Sequence, residues 1–112
     1  MNMSPAMKAC IEACTTSHRE VLHCITHCLH KGGSHAEPGH IGIMTDCAEI
    51  CAASLNFMLR DSRHAPHLCR ECAEICTQCA ESCANHPDAD DHMRQCAEAC
   101  RRCAEACRAM AA

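Results

Sequence analysis

Cysteine recurs at steps of three and four residues along most of this 112-residue chain. From Cys69 to Cys83 the steps run 3, 4, 3, 4 through Cys72, Cys76 and Cys79, and from Cys96 to Cys107 they run 4, 3, 4 through Cys100 and Cys103. An α-helix turns once in about 3.6 residues, so these steps return every thiol to one stripe, whereas a strand would scatter them over both faces. The pattern is an a/d heptad seam written in sulfur. Its unit is C-x-x-x-C, found seven times: Cys10 with Cys14, Cys24 with Cys28, Cys47 with Cys51, Cys72 with Cys76, Cys79 with Cys83, Cys96 with Cys100, and Cys103 with Cys107. Six of the seven carry glutamate in the middle, as in the doubled CAEACRRCAEAC at 96–107. That glutamate stands two residues from each cysteine, about 200° round the helix, so the motif sends thiols inward and carboxylates to water.

Turn signals divide the chain into four such helices. Ser4-Pro5 reads as a cap followed by proline in the first turn, and Lys31-Gly32-Gly33 as a basic last turn with a glycine stop. The boundaries predicted are 4–31, 38–62, 66–85 and 88–110, with Pro38, Pro66 and the acidic run Asp88, Asp90, Asp91 marking the later starts. Short connections make neighbours antiparallel, so the expectation is one domain over 1–112, an all-α, up-down-up-down four-helix bundle with a cysteine-lined core. Composition agrees. Tryptophan and tyrosine are absent, Phe57 is the one aromatic, and the apolar fraction is largely alanine and cysteine, so cysteine must be core material. The first and second seams are interrupted at Ser17, Val21 and Ser54.

Fifteen cysteines would ordinarily suggest a secreted disulfide scaffold. Against that, the count is odd, and nothing at the N-terminus marks export. Helical Cβ atoms three or four residues apart also stand about 5–6 Å from each other, beyond the roughly 3.5–4.5 Å of a disulfide. Free thiols in a reducing cytoplasm are expected. A net charge of −4 with interspersed signs and no stacking aromatics argues against nucleic acid. No apolar run approaches the roughly 20 residues of a membrane span, so no membrane partner is expected.

The thiols are too many for packing alone, because leucine or isoleucine would fill a bundle better and would not oxidise. They are also too alike for a redox enzyme, which needs one activated thiolate; CREC, CTQC and CRRC match C-x-x-C only as parts of longer seams. Metal binding remains. Zinc in a Cys₄ site carries a net charge of about −2, and several such sites would require buried cations that the seams lack. One Cu(I) per thiolate keeps the core near neutral, and thiolate with thioether is the ligand set that selects Cu(I). A general soft-metal buffer for Zn(II), Cd(II) or Ag(I) stays open as an alternative, as does a thiol redox protein.

Seven C-x-x-x-C pairs lining a predicted four-helix bundle resemble the cytosolic bacterial copper storage proteins, over nearly the whole chain from Cys10 to Met110. The resemblance implies a non-enzymatic store, for copper storage or detoxification, that binds many Cu(I) ions per chain inside a homotetramer of bundles. It implies the seven pairs named above as ligands, with Cys69 as an extra one; a copper chaperone is a candidate donor. Threading the chain up and down gathers Met3, Met7, Met58, Met110, His64 and His67 at one end. The other end collects His27, His30, His40, Met44, His86, His92 and Met93, of which His40, Met44, His86 and Met93 are candidate metal ligands. His18, His23 and His35 are expected to be solvated surface residues.

Overall fold

The computed structural model describes residues 3–111. Four helices follow one another: α1 (Pro5–Lys31), α2 (Pro38–Leu59), α3 (Ala65–Ala84) and α4 (Asp91–Ala111), with a single 3-10 turn, Gly33–Ala36, between the first two. The fold is all-α, with no strand among the described residues. Each helix packs on its two sequence neighbours, and α1 closes the square against α4. The result is an antiparallel rod about 46 Å long and 17 Å across. That length matches α1 alone, whose 27 residues rise about 40 Å at 1.5 Å each.

Local chemistry sets the helix ends. The Ser4 hydroxyl accepts the Met7 N–H at 3.1 Å, satisfying an orphan donor of the first turn, and Gly32 at φ 70° turns the chain out after Lys31. The Glu37 carboxylate caps α2 by accepting the Gly39 and His40 N–H groups, both at 3.0 Å. α2 ends at Leu59 rather than at 62. Asp61 adopts φ 53°, a left-handed conformation that aspartate tolerates, and the reversed backbone lets the Ser62 N–H donate to the Phe57 carbonyl at 2.9 Å. α4 starts at Asp91 rather than at 88 because Asp90 is spent on the cap, its carboxylate accepting the Met93 N–H at 3.0 Å.

The four inner seams meet along the rod axis. All fifteen cysteines are buried with no exposed surface, as are Met44, Met58, Met93, Val21, Ser17 and Ser54. The alanine that follows cysteine in CAEIC, CAESC and CAEAC is also buried, at 48, 73, 80, 97 and 104. A methyl at that position lets neighbouring backbones approach closely enough for thiols to touch across the core. Every motif glutamate (Glu12, Glu49, Glu74, Glu81, Glu98 and Glu105) is exposed.

α2 departs from one expectation. By length and composition it is apolar enough to cross a membrane, with a mean hydropathy of 1.2 over its best window. Within its 22 residues only Asp46 and Glu49 are charged, because partly buried Ile41, Ile43, Ile50 and Phe57 flank the buried sulfur stripe. A count of uninterrupted apolar residues overlooks this, since single polar positions break each run.

Candidate metal centre

The seams bring sulfurs together mostly across helices rather than along them. Cys10 Sγ lies 3.5 Å from Cys107 and 4.0 Å from Cys69; Cys14 lies 3.6 Å from Cys103 and 3.8 Å from Cys107. Cys51 lies 3.7 Å from Cys76, 3.8 Å from Cys72 and 3.9 Å from Cys103, and Cys47 is 3.6 Å from Cys76 and 3.9 Å from Cys100. Contacts also run along the helices within C-x-x-x-C pairs, as between Cys72 and Cys76 at 3.7 Å and between Cys103 and Cys107 at 4.0 Å. All fifteen thiols are free.

These spacings suit metal coordination. With metal–sulfur bonds of about 2.3 Å, two ligands of one ion stand about 3.8 Å apart at the tetrahedral angle and about 4.6 Å apart when linear. Two four-thiol groups meet that span, Cys14/Cys72/Cys103/Cys107 and Cys51/Cys72/Cys76/Cys103, and they share Cys72 and Cys103. Three three-thiol groups continue along the axis: Cys10/Cys69/Cys107 toward one end, then Cys47/Cys79/Cys100 and Cys24/Cys83/Cys96 toward the other. Fourteen cysteines enter a group, and the exception is Cys28. Its Sγ instead faces His40 Nε2 at 3.5 Å.

Sulfur–sulfur hydrogen bonds and burial govern protonation here. Desolvation pushes the Cys28 thiol above its ordinary range, and Cys69 is raised to about 12 by its hydrogen bond with Cys10, with burial adding to the effect. Burial also lowers His40, keeping the imidazole neutral. Deeper in the core, hydrogen bonds from neighbouring sulfurs lower Cys10, Cys47, Cys72, Cys83 and Cys103 and raise partners such as Cys14, Cys51 and Cys76, so protons are shared along the file and its neutral thiols pack as small hydrophobes. Two hydroxyls interrupt it. Ser17 Oγ lies 3.5 Å from Cys51 and donates toward Cys100 at 3.8 Å, whereas Ser54 Oγ is buried without a hydrogen-bond partner among the described residues.

The two ends differ. At one, Met58 Sδ sits 3.8 Å from Cys69 Sγ, Met7 and Met110 are half-buried against the core, and His64 and His67 are exposed. At the other end, the imidazoles of His27 and His92 stack with centroids 4.5 Å apart, and those of His35 and His40 each lie 5.0 Å from that of His86. Met44 and Met93 are fully buried near this end. Asp90 ties it together: some desolvation raises its carboxyl, but hydrogen bonds from His27 and the Met93 N–H outweigh this and hold it at about 2. His86 has both ring nitrogens engaged, Nε2 with the Ser34 carbonyl and Nδ1 with the Asp88 N–H, each at 3.0 Å. His30 is exposed. Two histidines expected to be solvated are not: His35 is folded inward by the 3-10 turn onto the Asp88 carbonyl, and His18 Nδ1 meets the Ala48 carbonyl at 2.9 Å, joining α1 to α2. His35 follows a glycine pair that carries no periodic signal, so its inward turn was not legible in the sequence.

A family model described as copper storage protein matches residues 3–112. The chain belongs to the copper storage protein family. Among its relatives, the uncharacterized cysteine-rich protein YhjQ of Bacillus subtilis (strain 168) is 41% identical over 98% of this chain and all of the relative. Of solved structures, the Cu(I)-bound copper storage protein BsCsp3 superposes with a TM-score of 0.89 at 41% identity, over 96% of this chain and 99% of that one. A cytosolic copper storage protein from Streptomyces lividans carrying five coppers gives 0.85 at 32% identity, over 95% and 92% of the two chains. Copper storage proteins of this fold thus include Cu(I)-bound members, and the file of thiols in this chain occupies the core of the same bundle.

Proposed function

We propose that this chain takes up several Cu(I) ions and stores them in its thiol-lined core, without catalysing a reaction. The observation that carries the reading is the burial of all fifteen thiols, fourteen of them in groups of three or four sulfurs within 4.8 Å of one another. A core of that kind, lacking buried cations, tolerates monovalent ions at about one per thiolate and penalises divalent ones. Each ion entering displaces thiol protons, so uptake exchanges one positive charge for another and the bundle stays close to neutral. The cysteines of all seven C-x-x-x-C pairs and Cys69 act as ligands. His40, Met44, His86 and Met93 serve the histidine-bearing end, where imidazole and thioether hold the ion more weakly than thiolate does and can pass it inward. For His86 this requires release of its two backbone hydrogen bonds.

The setting we infer is the cytoplasm, where a reducing environment keeps the thiols free and where the Streptomyces lividans relative is described as working. A homotetramer is the expected assembly; the exposed Leu22, Leu29 and Leu59 support self-association. A copper chaperone is the expected donor. The two four-thiol groups also offer the ligand set of a tetrahedral divalent ion, which makes zinc the competitor to test. Anaerobic titration of reduced protein with Cu(I) against a competing chelator decides between them. Storage predicts tight uptake of many ions per chain with displacement of any bound zinc; uptake of one or two ions, or none, refutes it.

A further inference from the structure

Cys28 is the one thiol outside every sulfur group, and its neighbour is a histidine held on three sides. The backbone of His40 is fixed by the Glu37 carboxylate, which accepts its N–H at 3.0 Å. Gly39 beside it leaves that carboxylate undisturbed, since a Cβ there would come within 3.1 Å of it and push it aside. The ring spans α1 to α3, with Nε2 3.5 Å from Cys28 Sγ and Nδ1 2.7 Å from the Ser82 hydroxyl. His40 is 4% exposed, and beside it a cleft of about 450 Å³, lined by Ser34, Glu37, Ser82 and His86 among others, opens to solvent.

The two ring contacts allow two arrangements of protons, and they differ in quality. With hydrogen on Nδ1, the ring makes a short N–H···O bond to Ser82 and leaves the Nε2 lone pair to accept the thiol proton of Cys28. With hydrogen on Nε2, the ring must donate to sulfur, a weak acceptor, and take a proton from Ser82. The Ser82 hydroxyl can accept or donate, so the difference lies at sulfur: the first arrangement gives the thiol proton a nitrogen acceptor, whereas the second spends an N–H on a weak sulfur acceptor. The first also leaves Nε2 ready for a metal, because a sulfur–nitrogen gap of 3.5 Å is what two ligands of one ion subtend near the tetrahedral angle, with bonds of about 2.3 and 2.0 Å. A slight opening brings the pair toward the flatter geometry of a monovalent soft ion.

We propose that Ser82 is a positioning residue: its oxygen accepts the Nδ1–H of His40 and fixes the tautomer whose Nε2 lone pair faces Cys28, making Cys28 and His40 a mixed sulfur–nitrogen site for one Cu(I) at the mouth of the thiol file. Ligating histidines commonly owe tautomer and ring angle to such an outer partner, and losing it costs about 10–100-fold in metal affinity. The proposal rests on the storage function above and adds to it a site distinct in ligand type from the all-sulfur interior.

Nitrogen-15 NMR of the reduced, metal-free full chain reads the tautomer directly. The expected result is protonated Nδ1 in the wild type, a mixed or reversed population in Ser82→Ala, and recovery in Ser82→Thr. In anaerobic titration with Cu(I) alone against a competing chelator, Ser82→Ala is expected to give up one ion at about tenfold lower chelator concentration. Ser82→Thr restores that ion, and in a His40→Ala background Ser82→Ala has no further effect, which a merely structural role would not produce. Protonated Nε2 in the wild type overturns the proposal, as does an Ala variant indistinguishable from wild type. A wild-type chain that holds no Cu(I) sinks the storage reading and the mixed site with it, whereas normal wild-type uptake with an unaltered variant removes only Ser82.

Discussion

Replacing Cys72 and Cys103 together by serine strips the two residues common to both four-thiol groups. Five close sulfur pairs are broken: Cys72–Cys76 at 3.7 Å, Cys51–Cys72 at 3.8 Å, Cys51–Cys103 at 3.9 Å, Cys14–Cys103 at 3.6 Å and Cys103–Cys107 at 4.0 Å. Of these groups only the pairs Cys14 with Cys107 at 3.8 Å and Cys51 with Cys76 at 3.7 Å then remain, each touching one thiol beyond, Cys10 at 3.5 Å and Cys47 at 3.6 Å. Replacing Cys28 and Cys69 removes the same number of thiols but leaves both four-thiol groups whole. By charge, each double variant forfeits about two Cu(I) ions, one per thiolate. The Cys72/Cys103 variant should also bind the ions at the remaining pairs at least about tenfold more weakly, since losing a direct ligand costs no less than losing an outer partner. Stability does not confuse the comparison: a buried hydroxyl left unpaired costs about 1–3 kcal/mol in either variant, which circular dichroism and urea unfolding of the metal-free proteins measure. Anaerobic titration against a graded series of chelator concentrations separates capacity from affinity. Equal affinities for the two double variants would refute the idea that copper is shared across helices through Cys72 and Cys103.

The metal-free, reduced bundle should be fully helical by circular dichroism, since protonated thiols pack as hydrophobes; an unfolded apo chain would point to a metal-nucleated fold instead. Alkali should weaken that apo bundle. Cysteine ionises near about 8.5 in an unfolded chain, while the folded form holds Cys28 above its ordinary range and Cys69 at about 12. The contribution of Cys69 is therefore complete below about 8.5 and lost as pH rises through about 12, so Cys69→Ala should flatten the fall of the urea midpoint over that window, and an unchanged slope would contradict the assignment. Asp90→Ala should cost about 1 kcal/mol through the lost α4 cap and loosen the His27–His92 end, as read by urea midpoint and histidine NMR. Because the Asp90 carboxyl is held at about 2, its contribution is present above about 3.9 and fades as pH falls through about 2.

The bundle and its inner seams were legible in the sequence because both are consequences of one local period. Steps of three and four put sulfur on one stripe, and each stripe had to be buried. Which sulfurs meet was not legible. Cys14 meets Cys103 across the core because helix rotation and axial offset decide cross-helix neighbours, and nothing within a single helix encodes them. The helix ends were approximate for a similar reason: the left-handed turn at Asp61 and the cap at Asp90 are choices between competing local hydrogen bonds. His40 was legible as an end residue. Its bond to Ser82 was not, because Ser82 falls inside a C-x-x-x-C pair and looks like a solvent-facing spacer.

Copper in this account lies along the bundle axis and is held by sulfur, which anomalous diffraction at the copper edge from crystals of the Cu(I)-loaded chain tests directly. A file of peaks between the four helices, among Cys10/Cys69/Cys107 at one end and Cys24/Cys83/Cys96 at the other, is the predicted result. An axis free of anomalous density, with copper confined to surface histidines, would contradict it.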